Sequence, residues 1–321
     1  MKLKKPKFWD YKKPNIISFL LLPFTIPIII NNFFNKFRND NKNYIQKSND
    51  YNLKTICVGN IYIGGTGKTP SSIRISQILE KLDYKTVFIK KNYTESYDEY
   101  TLLKKYGNVL SNSKRINSLS EANKISDVAI FDDGLQDSSI KYDLKFVCFN
   151  TKNFIGNGML IPAGPLREKI SSLKKYDVVL LNGNNENADN TISKIKKQNQ
   201  NIKVFESTYV LVNLDQLDIK KRYVAFAGIG TPENFRVSLA DNGVNVVKFL
   251  EYPDHWKYDY DEIKKIINIG KEMNAKIITT EKDYSRLKNS NIPEIEAIQF
   301  IIVELKIKNE GELINFLKKH I

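Results

Sequence analysis

Cysteine and histidine are scarce in this chain of 321 residues, which contains two of each. Both cysteines, Cys57 and Cys148, lie inside apolar runs that are typical of buried strands. Two buried thiols do not form a disulfide framework or a cysteine metal site, and they indicate a reducing compartment. With only His255 and His320, there is also little room for a histidine-rich metal centre.

Acidic residues are outnumbered, because 36 Asp and Glu face 50 Lys and Arg and leave a net charge of +14. The first fifty residues hold ten basic and three acidic groups, so half of the excess lies there. Such a bias favours an anionic partner: nucleic acid, a phosphate-rich substrate or an acidic membrane surface. For the lysines scattered beyond residue 80, a solvated basic surface is the preferred interpretation.

An uninterrupted transmembrane run is missing as well. Residues 14–35 carry no charge, but Pro14, Pro23 and Pro27 interrupt the ~20 apolar residues that a spanning helix needs. No small-residue cleavage site of a signal peptide follows. We predict that residues 1–38 form an amphipathic, membrane-associated helical segment whose lysines face anionic lipids of the cytoplasmic leaflet. A buried hydrophobic hairpin is the alternative.

From Thr55 onward, apolar runs rich in β-forming residues alternate with helical patterns. Near-continuous apolar runs separated by helices are typical of parallel strands covered on both faces of a sheet. We therefore predict an α/β fold with two P-loop or Rossmann-like domains and mostly parallel sheets. The first domain spans residues 39–210, and a smaller C-terminal α/β domain over residues 211–321 is expected to close the cleft.

The stretch GNIYIGGTGKTP, residues 59–70, resembles the phosphate-loop pattern G-x-x-x-x-G-K-[ST], but Tyr62 stands where the first glycine belongs. The glycines allow successive backbone N–H groups to point at phosphate oxygens, and the helix that follows adds its positive N-terminal end. Lys68 would neutralise phosphate charge and the Thr69 hydroxyl would hold Mg²⁺. The predicted nucleotide-binding residues are Gly64, Gly65, Thr66, Gly67, Lys68 and Thr69.

The stretch DVAIFDDGLQ, residues 127–136, supplies the carboxylates that a magnesium nucleotide needs. Asp132 and Asp133 follow an apolar run, and ligands of open α/β sheets bind at the carboxyl ends of strands. We predict that both acids serve the metal, one directly or through water and the other by orienting it. The alternative is a surface turn.

A shaped loop is predicted for GNGMLIPAGPLRE, residues 156–168, because three glycines and two prolines surround an apolar centre. Arg167 is expected to bind phosphate in a bidentate manner, and Asn157 to contact the substrate or its phosphate. Glu168 is expected to join the Mg²⁺ shell.

Seven motifs occur in order: PKFWD, VGNIYIGGTGKTP, DDGLQ, GNGMLIPAGPLRE, AGIGTPENF, YPDHWKY and TTEKD. From Pro6 to about Leu287 the chain resembles the tetraacyldisaccharide 4'-kinases, the lipid A kinases of Gram-negative bacteria. That family does not require glycine at the position of Tyr62. The resemblance implies transfer of the ATP γ-phosphoryl group, with Mg²⁺, to the 4'-hydroxyl of a tetraacylated glucosamine disaccharide 1-phosphate. It also implies a peripheral enzyme on the cytoplasmic face of the inner membrane.

The resemblance further implies catalytic roles for Asp98 and His255, beside Lys68. Asp98 matches the base of the family stretch G-D-E-P, although Tyr100 replaces the proline and KKNYT, residues 90–94, replaces the preceding S-R-G-Y-G. An exposed acid at a helix N-terminus is the alternative. His255 matches the first histidine of D-H-H-x-[FY], and Trp256 replaces the second. The TTEKD residues are expected to brace the cleft between domains.

Two other functions stay open from the residues alone. One is a membrane-associated P-loop switch, although TTEKD lacks the spacer of the N/T-K-x-D motif that reads guanine. The other is a different small-molecule P-loop kinase or ligase with the N-terminal run packed in its core. Nucleic acid is not an expected partner, because the basic bias lies beside an apolar segment and no recognition module occurs.

Overall fold

A computed structural model describes residues 5–40, 46–47, 52–92, 97–183, 188–254, 256–288 and 293–321. The chain divides into two compact units. The first unit comprises residues 1–93, 103–208 and 307–321, and the second comprises residues 94–102 and 209–306. The chain passes from the first unit to the second at residues 208–209, next to the predicted boundary at residue 210. Two segments fall on the other side of it, because residues 94–102 group with the second unit and residues 307–321 with the first.

Helices and strands alternate along most of the chain. The α-helices are α1 (Ile16–Leu20), α2 (Ile26–Asp40), α3 (Lys68–Glu80), α4 (Tyr97–Tyr106), α5 (Leu119–Ile125), α6 (Ala188–Gln198), α7 (Pro232–Asp241), α8 (Tyr260–Glu272), α9 (Glu281–Lys288) and α10 (Glu310–His320). Short 3-10 helices cover Lys7–Asp10, Leu22–Thr25, Arg115–Ser118, Ile170–Lys175, Leu214–Gln216 and Pro293–Ala297.

Most strands are short, and several of them are buried along their whole length. They are β1 (Gln46–Lys47), β2 (Lys54–Gly59), β3 (Thr86–Lys91), β4 (Val109–Asn112), β5 (Val128–Asp132), β6 (Ile140–Lys141), β7 (Leu144–Asn150), β8 (Val178–Asn182), β9 (Lys203–Leu211), β10 (Tyr223–Ala227), β11 (Val246–Glu251), β12 (Lys276–Thr280), β13 (Ile298–Ile301) and β14 (Val303–Ile307).

The sheet of the first unit runs in the order β9-β8-β7-β2-β5-β3-β4, and neighbouring strands in this order are parallel. From β2 the chain first builds the side that holds β3, β4 and β5, and then the side that holds β7, β8 and β9. The carboxyl end of β2 is therefore a topological switch point, where open parallel sheets bind their ligands. The predicted α/β class with mostly parallel sheets is confirmed.

Both faces of this sheet are buried, since consecutive strand residues point to opposite faces. On one face Cys57 of β2 packs in a cluster with Leu119 of α5, and Phe149 of β7 packs in a neighbouring cluster with Ile195 of α6. On the other face Cys148 of β7 meets α3, where its Sγ donates to Ser71 Oγ at 3.5 Å. Helix α10 also joins this unit. Its Glu310 accepts from Nε and Nη2 of Arg74 in α3, at 2.8 and 2.5 Å.

The second unit has its own parallel sheet in the order β11-β10-β12-β13. One cluster packs Phe235 and Leu239 of α7 on this sheet, and another packs Ile263 of α8 and Leu287 of α9. Helix α8 begins with a capping box, in which Asp259 accepts from the Glu262 N–H and the Glu262 side chain accepts from the Asp259 N–H.

The N-terminal helices expose apolar side chains, with exposed fractions of 41 to 78% over Ile16, Ile17, Phe19, Leu20, Leu22 and Phe24. We call these six residues, together with Ile26, Ile29, Ile30, Phe33 and Phe34, the apolar N-terminal surface; all of them are exposed. The buried hairpin considered above does not fit these exposures. Within the described residues, no helix has the length and apolar character to cross a bilayer.

Both thiols are buried in the first sheet, and the burial raises the pKa of Cys57 and raises that of Cys148 to about 12. A raised pKa keeps the reactive thiolate scarce at pH 8. We expect neither cysteine of the native protein to react with a thiol reagent at this pH, and both to react in guanidinium chloride. Absorbance of the released thionitrobenzoate measures the reaction. The exposed control variant Ser113→Cys should react at once, and fast labelling of the native wild type would contradict the buried placement.

Candidate active site

The glycine loop lies between the carboxyl end of β2 and the first residue of α3, Lys68. Gly67, which precedes α3, has φ 82°, and Gly64 has φ 119°. Residues with a Cβ rarely adopt these values, so both positions require glycine. The turn presents the unpaired N–H groups at the start of α3 to the space above the sheet, which is the usual setting for a phosphate.

Two buried asparagines hold the loop in this shape. Asn60, directly after β2, donates to Thr66 Oγ1 at 2.8 Å and to the Gly64 carbonyl at 3.3 Å. Asn182, the last residue of β8, donates to the Thr66 carbonyl at 2.6 Å. Asn60 Oδ1 is buried and has no hydrogen-bond partner among the described residues. The loop is thus preformed, and one buried acceptor beside it is left for a ligand donor or a water molecule.

Tyr62 has a role outside the phosphate loop, which explains why the motif departs from the usual pattern. Its side chain is buried, its hydroxyl bonds Asp10, and Lys5 Nζ donates to that hydroxyl at 3.0 Å. Burial and the neighbouring Asp10 carboxylate raise the pKa of Tyr62. The phenol therefore fastens the N-terminal segment to the first unit.

Asp132 is fully buried at the end of β5. Its Oδ2 accepts from Thr69 Oγ1 at 3.1 Å and from Lys90 Nζ at 2.6 Å, and its Oδ1 accepts from Ser72 Oγ at 3.2 Å. A buried carboxylate needs such hydrogen bonds and a nearby cation to offset the lost hydration. Asp132 is thus joined to the loop through Thr69, as its predicted metal role requires.

Asp133 lies beside it in a more open position. Lys68 Nζ is 4.0 Å from its Oδ2 and Arg167 Nη1 is 3.3 Å from its Oδ1. The backbone of Asp133 is left-handed, with φ 57°, and Arg115 Nη2 donates to its carbonyl at 2.6 Å. This turn directs the two neighbouring carboxylates to different cations.

Gln136 connects the loop to the segment that carries Arg167 and Glu168. Its amide donates to the Asn60 carbonyl at 2.9 Å and to Glu168 at 3.1 Å, and its Oε1 accepts from Arg167 at 3.4 Å. Glu168 also accepts from Tyr176 OH at 3.0 Å and from Lys175 at 3.1 Å. Glu168 thus interacts with Gln136, Tyr176 and Lys175 rather than with Thr69 or Asp132.

Asn157 ties the loop over residues 156–168 to the N-terminal segment. Its Nδ2 donates to Ser18 Oγ at 2.9 Å and to the Ala163 carbonyl at 3.0 Å, and its Oδ1 accepts from the Met159 N–H at 3.1 Å. Asn32 of α2 donates to the Arg167 carbonyl at 2.9 Å. Asn157 therefore contacts its own loop and α1, and Arg167 is held from behind by α2.

The oxygen atoms beside the loop fit Mg²⁺. This ion prefers oxygen ligands and usually binds through one or two carboxylates together with phosphate oxygens and water. Thr69 Oγ1 and Asp132 Oδ2 lie together, and Asp133 is adjacent in the chain. Thr69 and Asp132 would hold the ion.

Asp98 belongs to the second unit, in the first turn of α4. It is buried, and its Oδ2 accepts from Arg286 Nη2 at 2.6 Å and lies 3.3 Å from Lys282 Nζ. Arg286 also donates to the buried Asp283 at 2.7 Å. Asp98 is therefore not the exposed helix-terminal acid considered above.

The two cations beside Asp98 both have raised pKa values. Burial works against the charge of Lys282, but the carboxylates of Asp254, Glu99 and Asp98 outweigh it and raise its pKa. Burial likewise opposes Arg286, whose pKa is raised by Asp283 and Asp98. Both side chains are thus firmly charged. His255 lies outside the described residues, and the neighbouring Trp256 donates its indole N–H to Glu262 at 3.0 Å.

Several residues of the site were not predicted, namely Asn60, Ser72, Lys90, Arg115, Gln136 and Asn182. Asn60, Lys90 and Asn182 share a signal, since each is a polar residue at the carboxyl end of an apolar run. Arg115 and Ser72 lack such a signal, because their partners are set by the order of strands in the sheet.

A glycine loop between a buried strand and a helix, whose threonine meets a strand-end aspartate, is the phosphate and metal site of P-loop proteins. The doubly wound parallel sheet is the fold on which that site occurs. The first unit is therefore a P-loop nucleotide-binding unit.

Comparison with known proteins narrows this class. A family model described as tetraacyldisaccharide-1-P 4'-kinase matches residues 17–321. The tetraacyldisaccharide 4'-kinase of Pelagibacter ubique is 48% identical over 99% of this chain and 98% of its own length. That of Rickettsia canadensis is 33% identical over 98% of this chain and 96% of its own. The chain belongs to the tetraacyldisaccharide-1-P 4'-kinase family, and the family predicted from its motifs is confirmed.

A solved structure shares the fold. The "apo" form of LpxK from Aquifex aeolicus in complex with ATP has a TM-score of 0.69 and 23% identity, and the match covers 95% of this chain and 99% of that one.

The left-handed backbone at Gly67 generates a prediction for the ligand-free protein. Gly67→Ala should lower the free energy of unfolding by about 1–2 kcal/mol, because a Cβ is strained at this φ. The control Gly65→Ala, whose φ is not in the left-handed region, should cost less than about half of that. Urea unfolding followed by circular dichroism measures both values. Equal losses in the two variants would contradict the loop geometry.

Proposed function

We infer that this chain transfers the γ-phosphoryl group of ATP to the 4'-hydroxyl of a tetraacylated glucosamine disaccharide 1-phosphate, a lipid A precursor. The observation that carries this function is the intact junction of Lys68, Thr69, Asp132 and Asp133 in a chain matched by the family over residues 17–321. Purified protein with ATP, Mg²⁺ and the disaccharide lipid should yield a bis-phosphorylated product, visible by ³¹P NMR. Binding of nucleotide without any lipid product would favour a switch instead.

The first unit handles the nucleotide in this proposal. Backbone N–H groups of residues 64–69 and the Lys68 ammonium bind the β- and γ-phosphates, and Arg167 neutralises charge on the transferred group. Thr69 and Asp132 would hold Mg²⁺, which would supply further neutralisation of the phosphate charge. Glu168, through Gln136, keeps both Arg167 and Asn60 in place, and Asn157 keeps the shape of the loop that bears Arg167.

Asp98 orients the acceptor hydroxyl and takes up its proton. Arg286 and Lys282 hold the carboxylate in one orientation, at 2.6 and 3.3 Å. His255 remains the predicted partner of Asp98 in this step, as the family resemblance implies. Phosphoryl transfer has a loose transition state, so positioning of the hydroxyl contributes more than strong deprotonation.

The apolar N-terminal surface is proposed to lie in the cytoplasmic leaflet of the inner membrane. Its apolar side chains are exposed together, and Lys5, Lys7, Lys12 and Lys13 precede them. Basic flanks beside an apolar helix face are typical of monotopic anchoring to anionic lipids. Attachment to the bilayer would bring the enzyme to a lipid substrate, because the acyl chains of that substrate stay in the bilayer while its sugar is phosphorylated.

The role of Asp98 predicts a separation of turnover from binding. Asp98→Asn should lower kcat by about 10²- to 10⁴-fold, the range for loss of a general base, and change the Kd for ATP less than about threefold. A fluorescent ATP analogue measures Kd, and product formation measures kcat. The control Asp261→Asn removes an exposed acid from the first turn of α8 and should leave both unchanged. Wild-type turnover in Asp98→Asn would remove this residue from the reaction.

Membrane attachment is best tested by point substitution. Deletion of residues 1–38 would also remove Trp9, whose indole donates to the Pro162 carbonyl at 2.9 Å, and Asn32. Phe19→Asp with Phe24→Asp should reduce partition onto phosphatidylglycerol vesicles about a hundredfold, since each phenyl group loses its transfer energy. Sedimentation measures the bound fraction. The control Ile219→Asp with Val237→Asp changes exposed apolar residues of the second unit and should bind like the wild type. Equal loss in both pairs would contradict the anchor.

A further inference from the structure

Lys90 is a buried lysine beside the phosphate loop for which the family-level function provides no role. It is 3% exposed and lies near the end of β3. Strands β3 and β5 are adjacent and parallel, with Ile89 opposite Phe131. The next residues in this register are Lys90 and Asp132, so both side chains lie on the same face at the carboxyl edge of the sheet.

Lys90 and Thr69 both donate a hydrogen bond to the same oxygen atom of Asp132. Lys90 Nζ is 2.6 Å from Asp132 Oδ2, which also accepts from Thr69 Oγ1 at 3.1 Å. Thr69 and Asp132 are the two oxygen donors that fit Mg²⁺. A protein cation therefore already lies against the carboxylate oxygen that the metal would use.

Stability alone does not account for this pair. Burying a lysine and a carboxylate costs hydration free energy that their attraction does not reliably regain, and apolar pairs often serve a core as well. Other strand ends at the same edge carry uncharged Asn60 and Asn182. The positive charge of Lys90 therefore indicates that an anionic ligand binds beside Asp132.

An unbalanced Asp132 would repel a polyphosphate that arrives without metal. Two unit charges about 6 Å apart at an effective dielectric constant near 20 change an affinity by about a hundredfold. A cation in contact with the carboxylate removes most of that repulsion.

We propose that Lys90 is a built-in counter-cation of the nucleotide site, which neutralises Asp132 in the absence of metal and lets metal-free ATP bind the glycine loop. The inference rests on the proposed nucleotide site. It makes Lys90 a positioning residue whose effect is largest before the metal enters. Mg²⁺ held by Thr69 and Asp132 would supply the same neutralisation, so the effect of Lys90 on the affinity for ATP is then smaller.

The test compares ATP binding in EDTA with binding in excess Mg²⁺, by titration calorimetry on the full chain. Lys90→Met should weaken binding in EDTA at least about tenfold and binding in Mg²⁺ less than about threefold. The control Lys91→Met changes the adjacent lysine of the same strand, whose side chain points to the other face, and should alter neither. Equal weakening in both conditions, or none in EDTA, would overturn the proposal.

A second variant separates charge balance from damage to the fold. Lys90→Met combined with Asp132→Asn removes both charges, and binding in EDTA should return to within about threefold of wild type. Failure of this recovery would also overturn the proposal. Lys68→Met reports on the underlying site instead. If it binds ATP like the wild type in both conditions, the nucleotide site itself is misplaced, whatever Lys90 does.

Discussion

A carboxylate without access to water, at the end of β5, determines what its neighbours must be. Asp132 requires hydrogen-bond donors and a cation, and it obtains them from Thr69 and Ser72 in α3 and from Lys90 in β3. These contacts fix the first turn of α3 against the sheet. Because the glycine loop ends at that turn, the position of the phosphate site follows from the burial of one acid.

The N-terminal segment is fastened to the same region by its polar atoms. Trp9 donates to the Pro162 carbonyl, Ser18 accepts from Asn157, and Asn32 donates to the Arg167 carbonyl. Its apolar side chains are left exposed as a group. The segment thus contacts, on its polar side, the loop that carries Arg167. Tyr62, which occupies a glycine position of the usual motif, belongs to this attachment rather than to the phosphate loop.

The parts of the site that the sequence predicts are those with local signals. The glycine loop follows one apolar run and the Asp132–Asp133 pair follows another, and parallel strands bring such ends to one edge. Lys90 and Asn182 carry the same strand-end signal, but their partners, like that of Arg115, depend on which strands are neighbours and could not be predicted. Contacts between residues far apart in the sequence could not be predicted either. Arg74 binds Glu310, 236 positions away, and Asp98 binds Arg286, 188 positions away.

The surroundings of Asp98 bear on the catalytic role proposed for this acid. Arg286 and Lys282 both contact one of its oxygens, and each is kept charged by further carboxylates. Two cations so close offset the negative charge of the carboxylate and fix its orientation. An acid in this setting is a well-fixed hydrogen-bond acceptor. In a loose transition state the attacking oxygen has formed little bonding to phosphorus, so its hydroxyl needs little deprotonation before attack. In the proposed reaction, an acceptor that holds the hydroxyl in place and takes its proton late would therefore serve better than a strong base.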